Sequence, residues 1–251
     1  MNSFEKHGIA HLSASQINTW INAPSFWLME KLLGYKGQMG CAAHRGTATE
    51  AGVSLGLFDP LMPLEDCVDA ALASYDRLTA LSGDERRQKE RDGIPGMVAQ
   101  GRQLRSHGLP IRPNDHQHKV EVRLEGVAVP IIGYLDWLYA EEVLDLKTTF
   151  RVPSAMSEPH TRQASIYKQA HMDKRVRFAY CSDKKMEKHT LTREGYDAAI
   201  REITGAAQKL QKFLSLSDDS QELAAIIPHS SETFYFSDPG AKAKAQEIYG
   251  Y

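Results

Sequence analysis

Cysteine is scarce in this chain: Cys41, Cys67 and Cys181 are the only three in 251 residues, and they lie far apart. Three thiols cannot supply the four thiolates of an iron–sulfur cluster or a zinc ribbon, so both are excluded. Free, mostly buried thiols in a reducing compartment are the expectation. Long apolar runs are missing too. Nothing approaches the roughly eighteen residues of a membrane span, and no association with a membrane is expected. The first residues, MNSFEKHGIAHLS, lack an apolar signal core, so a cytoplasmic protein is expected rather than a secreted one. A formal net charge of −2 gives no overall pull on a polyanion, so any nucleic-acid site has to be a local patch. Internal repeats and low-complexity tracts are absent, which excludes a repeat architecture.

What is present is ordinary for a globular protein, with 42% hydrophobic and 25% charged residues. The length suffices for one domain with a sizeable core. Ser13 or Ser15 can cap a first helix with Ile17, Trp20 and Ile21 as its apolar stripe, broken at residues 22–25. Residues 41–55 read as an Ala- and Thr-rich helix carrying His44 and Glu50. Residues 63–107 are helical with a break at 93–96, and the charged run 84–92 reads as a solvated face. From Lys119 the period changes to two, and KVEVRL, VAVPII, GYLDWLY and EVLDLKTT read as strands. A helix over 159–172, strands over 176–181 and 186–191, a long helix over 193–216 and a short one over 241–248 complete the pattern. The fold class is α+β: a small mixed central sheet flanked by helices, with a helical insertion before it.

The segment Gly133–Thr149 concentrates the chemistry. Asp136 and Asp145 are nine positions apart, and Lys147 follows the second acid by two, so Asp145 and Lys147 leave one strand face together. Two carboxylates brought together on neighbouring strands can give a hard cation two oxygens, and the main-chain carbonyl of Leu146 a third. Lys147 can then hold a nucleophilic water or offset charge building on a phosphate. An exposed hairpin with a surface Asp–Lys pair fits the same spacing, but the apolar setting VLDLK favours the site. Gln163 and Tyr167, at i and i+4, share a helix face with Arg162 alongside. These groups suit a nucleic-acid backbone, and equally an ordinary polar face. His44 alone reads as a satisfied histidine. Glu50, six positions on, is nearly opposite it on a straight helix.

In order, Leu12-Ser13-Ala14-Ser15 with Pro24, Gly40-x3-His44, Gly133-x2-Asp136, Asp145-Leu146-Lys147 and Gln163-x3-Tyr167 resemble the RecB-like branch of the PD-(D/E)XK nuclease superfamily. The match runs from about residue 11 to 190. The ending Phe234-Tyr235-Phe236-Ser237-Asp238-Pro239, before an Ala/Lys-rich helix, is similar to phage-type exonucleases. The resemblance implies a restriction-endonuclease-like core in a single nuclease domain over 1–251, with 63–107 as the insertion and 192–251 as a helical extension. It implies metal ligation by His44, Asp136, Asp145 and the carbonyl of Leu146, catalysis by Asp136, Asp145 and Lys147, and DNA binding or site support by Gln163 and Tyr167. Leu135 stands where the eponymous proline would be, and Ala23 where iron–sulfur members carry a cysteine.

The expected activity is a Mg²⁺- or Mn²⁺-dependent DNA exonuclease that leaves 5′-phosphates and carries no iron–sulfur cluster. A non-catalytic DNA-binding or assembly subunit and a structure-specific endonuclease are the alternatives. Linear DNA ends are the expected partner, with a homo-oligomer or a recombination protein as further ones, in the host cytoplasm if the chain is phage-encoded. Arg102 and Arg105 are candidates for flanking phosphates on charge alone. Glu121 is either an auxiliary acid or, the preferred reading, an outward-facing strand residue.

Overall fold

Local signals start most elements. The computed structural model describes residues 1–113, 117–230 and 232–250. Ser13 caps helix α2 (Ala14–Asn22) by accepting from the Gln16 amide at 3.2 Å, and Pro24 opens α3 (Pro24–Lys31). A short α1 (Ser3–Lys6) precedes them. Helix α4 (Cys41–Phe58) is followed by α5 (Leu64–Leu78), α6 (Arg87–Asp92), α7 (Ile94–Gly101) and a 3-10 turn (Arg102–His107). Strands β1 (His118–Val122), β2 (Ile131–Leu135), β3 (Trp137–Leu138) and β4 (Glu142–Thr148) come next, then α8 (Glu158–Ala170), β5 (Arg175–Cys181) and β6 (Met186–Thr190). Helix α9 (Arg193–Leu214), α10 (Ser220–Ile226), a 3-10 turn (Phe234–Phe236) and α11 (Pro239–Tyr249) close the described chain.

The strands form two sheets, an antiparallel β1–β2 pair and a four-stranded sheet in the order β3-β4-β5-β6. β3 runs antiparallel to β4, β4 parallel to β5, and β5 antiparallel to β6. The parallel pair needs a crossover, which α8 supplies. The architecture is mixed α+β, as the change of period implied. Two strands differ from expectation: GYLDWLY is split at Asp136 into the end of β2 and β3, and VAVPII is strand only from Ile131, a turn with Gly126 at φ +71° and the Val127 amide donating to the Leu124 carbonyl lying just before it. Pro130 has no amide to donate, and its carbonyl accepts from Leu12 instead.

The two faces of β4 serve two cores. Val143 points with Val176, Phe178 and Tyr180 into the larger one, which α8 and α9 cover through Ala164, Ile166, Ile203 and Leu210. Leu144 and Leu146 point with Ala179 and Cys181 toward Val53 and Leu57 of α4 and Met97 of α7. Helix α4 lies close against α5 because a glycine stands at the crossing. A Cβ on Gly52 would stand 2.5 Å from the Cys67 carbonyl oxygen and 2.8 Å from the Ala71 Cβ. The break expected at 93–96 shrinks to Gly93, between α6 and α7. The charged run is not wholly solvated either: Glu90 is buried against the Arg45 guanidinium, which also donates to the Thr148 carbonyl at 3.1 Å. All three cysteines are buried and free, and burial pushes the Cys181 thiol up to about 12.

Candidate functional site

The site lies where β3 ends. β3 pairs with β4 only at Trp137↔Leu144 and Leu138↔Val143, so from Asp145 onward that edge of β4 has no strand beside it among the described residues. Asp136, in the bend between β2 and β3, fills the gap: its Oδ2 accepts from the Leu146 amide at 2.7 Å. The amide and carbonyl of one strand residue leave the same edge, so the Leu146 carbonyl faces the Asp136 side rather than the β5 ladder.

On the α8 face of β4, the Lys147 ammonium forms an ion pair with Asp145 Oδ1 at 2.6 Å. It also stands 4.9 Å from the centre of the Phe178 ring. The i, i+2 geometry expected from sequence is therefore present, and the pair is no surface salt bridge: Asp145 is 1% exposed. Burial raises the Asp145 carboxyl, against the offsetting charge and contact of Lys147 and a contact from Tyr167. Burial, then the charges of Asp145 and Glu50, hold Asp136 well above the carboxylate range. Burial alone would lower Lys147, but Asp145, Asp136 and Glu50 outweigh it and its pKa is raised.

Glu50 enters this set from α4, and sequence reasoning missed it. Its carboxylate accepts from Gln117 at 3.1 Å, and its pKa is raised, chiefly by burial and then by Asp145, against the Gln117 hydrogen bond and Lys147. The signal was available in the stripe Cys41, Arg45, Ala48, Thr49, Gly52, Val53, Gly56 and Leu57, which marks the buried face of α4. Glu50 borders that stripe. His44, on the same helix, is half-buried with its Nδ1 buried and lacking a hydrogen-bond partner among the described residues.

Gln163 and Tyr167 reach the same carboxylate from α8. The Gln163 amide donates to the Tyr167 hydroxyl at 2.6 Å and lies 3.5 Å from Asp145 Oδ2, while the Tyr167 hydroxyl is 2.7 Å from the Tyr134 carbonyl and 3.3 Å from Asp145 Oδ2. One hydroxyl has one hydrogen, and the shorter contact assigns it to Tyr134. Tyr167 therefore ties α8 to β2, and the second N–H of the Gln163 amide is the one left facing Asp145. Gly133 makes this possible, since a Cβ there would meet the Tyr167 ring at 3.0 Å. Tyr167→Phe is expected to leave the Tyr134 carbonyl unpaired and lower stability by about 1–3 kcal/mol. Urea denaturation checks this, and a loss below about 0.5 kcal/mol would show that the hydroxyl braces nothing.

The other candidates lie elsewhere. Arg162 is buried and donates to Asn18 at 2.6 Å and to Glu202 at 2.8 Å, tying α8 to α2 and α9. Arg102 donates to the Met62 carbonyl at 2.6 Å, and Arg105 to the carbonyls of Gly56, Asp59 and Pro60. Both serve carbonyls at or just beyond the end of α4, where helix carbonyls lose their own donors. Glu121 is exposed and pairs with Arg123 at 3.2 Å, the outward-facing strand residue expected.

Among the described residues no three His, Cys, Asp or Glu side chains converge tightly enough to form a metal centre by themselves. A hard cation that keeps most of its waters needs only one or two carboxylates. Asp136, Asp145 and Glu50, all raised chiefly by burial, fit such an ion. The unpartnered His44 Nδ1 offers a nitrogen donor on the same helix as Glu50.

No protein-family model matches the chain, and no curated protein matches it. A solved structure described as the crystal structure of SSO0001 is similar at 14% identity and a TM-score of 0.32, covering 74% of this chain and 83% of that one. So distant a likeness assigns neither fold family nor activity.

Among the described residues no helix is long and apolar enough to cross a membrane.

Proposed function

We propose that the chain is a metal-dependent deoxyribonuclease on a PD-(D/E)XK core, an exonuclease in preference to an endonuclease. One observation carries the reading: a buried Asp145–Lys147 pair at an open sheet edge, with Asp136 and Glu50 close enough to raise the lysine's pKa. An ammonium group beside clustered carboxylates serves metal binding poorly by itself, since it competes for the same oxygens. It serves phosphodiester hydrolysis well, because it can hold a water or offset charge on a non-bridging oxygen. Asp136, Asp145, Glu50 and the Leu146 carbonyl would hold Mg²⁺ or Mn²⁺, with His44 as a further donor. A cation bound there supplies Lewis acidity and a more acidic water. Lys147 holds the reacting oxygen in line, Gln163 faces Asp145, and Tyr167 fixes α8 against β2 beside it. The preference for exonuclease action, with 5′-phosphate products, rests on the sequence resemblance to phage-type exonucleases, as does a setting in recombination with a partner protein or a second copy.

The test is digestion of linear and covalently closed circular DNA, single- and double-stranded, with Mg²⁺, Mn²⁺ or EDTA. Metal-dependent loss of linear DNA alone is the expected result. Cutting of closed circles would make the chain an endonuclease. Tight DNA binding without hydrolysis in either metal would overturn the catalytic reading and leave a binding subunit.

A further inference from the structure

A cleft of about 590 Å³ opens beside the Asp145–Lys147 pair, between α2, β2 and α8. It shares Gln163 and Tyr167 with the site, so an occupant is in direct reach of the side chains next to Asp145. Among the described residues no Lys, Arg, Asp or Glu lines it. Hydroxyls and amides do, from Ser13, Asn18 and Thr19, with aromatic surface from Tyr134 and His160. Tyr134 is 52% exposed on β2, so its ring is open to an occupant. His160 is pinned through Nδ1 to the Tyr180 hydroxyl at 2.7 Å, and its ring packs on Phe178 and Tyr180. Burial and then the charge of Lys147 bring His160 down to about 4, so it too is uncharged at neutral pH.

A phosphate calls for cations, and among the described residues this cleft offers no lysine or arginine, only the imidazoles of His11 and His160. An uncharged planar heterocycle with its own donors and acceptors matches both the polar groups and the rings. The volume lies within the range of small-molecule sites, enough for a base with its sugar. We infer that the cleft receives the unpaired nucleobase of a nucleotide flanking the scissile phosphate, so that the preferred substrate is a single-stranded or frayed end. The inference rests on the nuclease reading above and adds the state of the strand on which it acts.

The experiment compares a single-stranded oligonucleotide with the same strand carrying abasic sugars at its terminal positions, using the full chain in Mg²⁺. Removing the bases is expected to lower kcat/KM by about ten- to hundredfold, the usual range for one lost base-stacking contact. Tyr134→Ala should bring the natural strand down to the abasic rate. Thr19→Phe, which fills the cleft from α2, should do the same without touching the strand. Equal rates on both oligonucleotides with the unaltered protein would overturn the inference while leaving the nuclease reading intact. If no substrate is hydrolysed, the nuclease reading fails, and fluorescence anisotropy with the same two strands in EDTA decides the cleft. Weaker binding of the abasic strand would then support the pocket, and equal binding would overturn it.

Discussion

Lys147→Ala is expected to lower Mg²⁺-dependent DNA hydrolysis by about 10²–10⁴-fold, the range for losing a charge-stabilising or proton-handling group at a reacting centre. The structure adds a second consequence. Lys147 is 23% exposed on its side chain, but its partner Asp145 is only 2% exposed there, so the substitution strands a buried carboxylate. Removing one member of such a pair is costly because the survivor's charge stays desolvated. With partial solvent access at the lysine end, the loss in chelator should be on the order of 1–3 kcal/mol. Lys147→Arg separates the two effects. It keeps the cation and most of the stability, but its planar, wider head cannot occupy the point position of an ammonium. Activity should stay low while the urea midpoint recovers. Hydrolysis within about tenfold of the unaltered protein in either variant, measured on a linear duplex, would remove Lys147 from the mechanism.

The strand that carries this pair was legible in the sequence because its signal is local. Asp145 and Lys147 at i and i+2 need only a strand to share a face, and Gln163 and Tyr167 at i and i+4 need only a helix. The cap at Ser13 behaved the same way, accepting from the Gln16 amide in its helix's first turn. Glu50 was missed because its role depends on which side of α4 meets the sheet. That side mixes Val53 and Leu57 with Cys, Ala, Gly, Thr and a buried Arg45, so its stripe is weakly apolar and leaves Glu50, at its border, unannounced. Comparing Glu50 with His44, its neighbour in sequence, was the wrong comparison, since its electrostatic partners Asp145 and Lys147 lie almost a hundred residues on.

The partners of the arginines are hidden from the sequence for a related reason. Charge alone says that Arg102, Arg105 and Arg162 can meet phosphate, but a guanidinium also caps helix ends and pairs with acids across a tertiary contact. Arg102 and Arg105 meet carbonyls around the end of α4, and Arg162 meets Glu202, forty positions away. Neither partner can be seen without the fold. Glu90 shows the converse: within a mixed-charge run that reads as solvated, one member turns inward to Arg45.

Asp136→Asn is expected to reverse the order of stability between chelator and Mg²⁺. The carboxyl of Asp136 is raised well above the ordinary value near 4, by burial and by the like charges of Asp145 and Glu50. A carboxyl whose folded pKa exceeds its unfolded one stabilises the fold below the unfolded value. That contribution is lost as pH rises through the folded pKa. At pH 7–8 without metal, the charged form of Asp136 therefore works against the fold. The amide side chain of the variant would keep an oxygen for the Leu146 N–H and drop the charge. In EDTA at pH 8 the variant should melt higher than the unaltered protein, by about 2–6 °C for a gain on the order of 1–2 kcal/mol, and its stability should change less between pH 4 and pH 8. Mg²⁺ acts in the opposite direction, because an ion bound only by the folded state adds about 2.7 kcal/mol at a hundred times its Kd. That gain should be large in the unaltered protein and nearly absent in the variant. Glu50→Gln should give the same crossing with a smaller amplitude, since Glu50 bears on Asp136 through charge but has its own hydrogen bond from Gln117. Equal Mg²⁺ shifts in all three proteins would place the cation elsewhere and leave Asp136 as a structural acceptor for Leu146. A lower melting point for the variant in EDTA would mean that the hydrogen bond to Leu146 outweighs the repulsion it sits in.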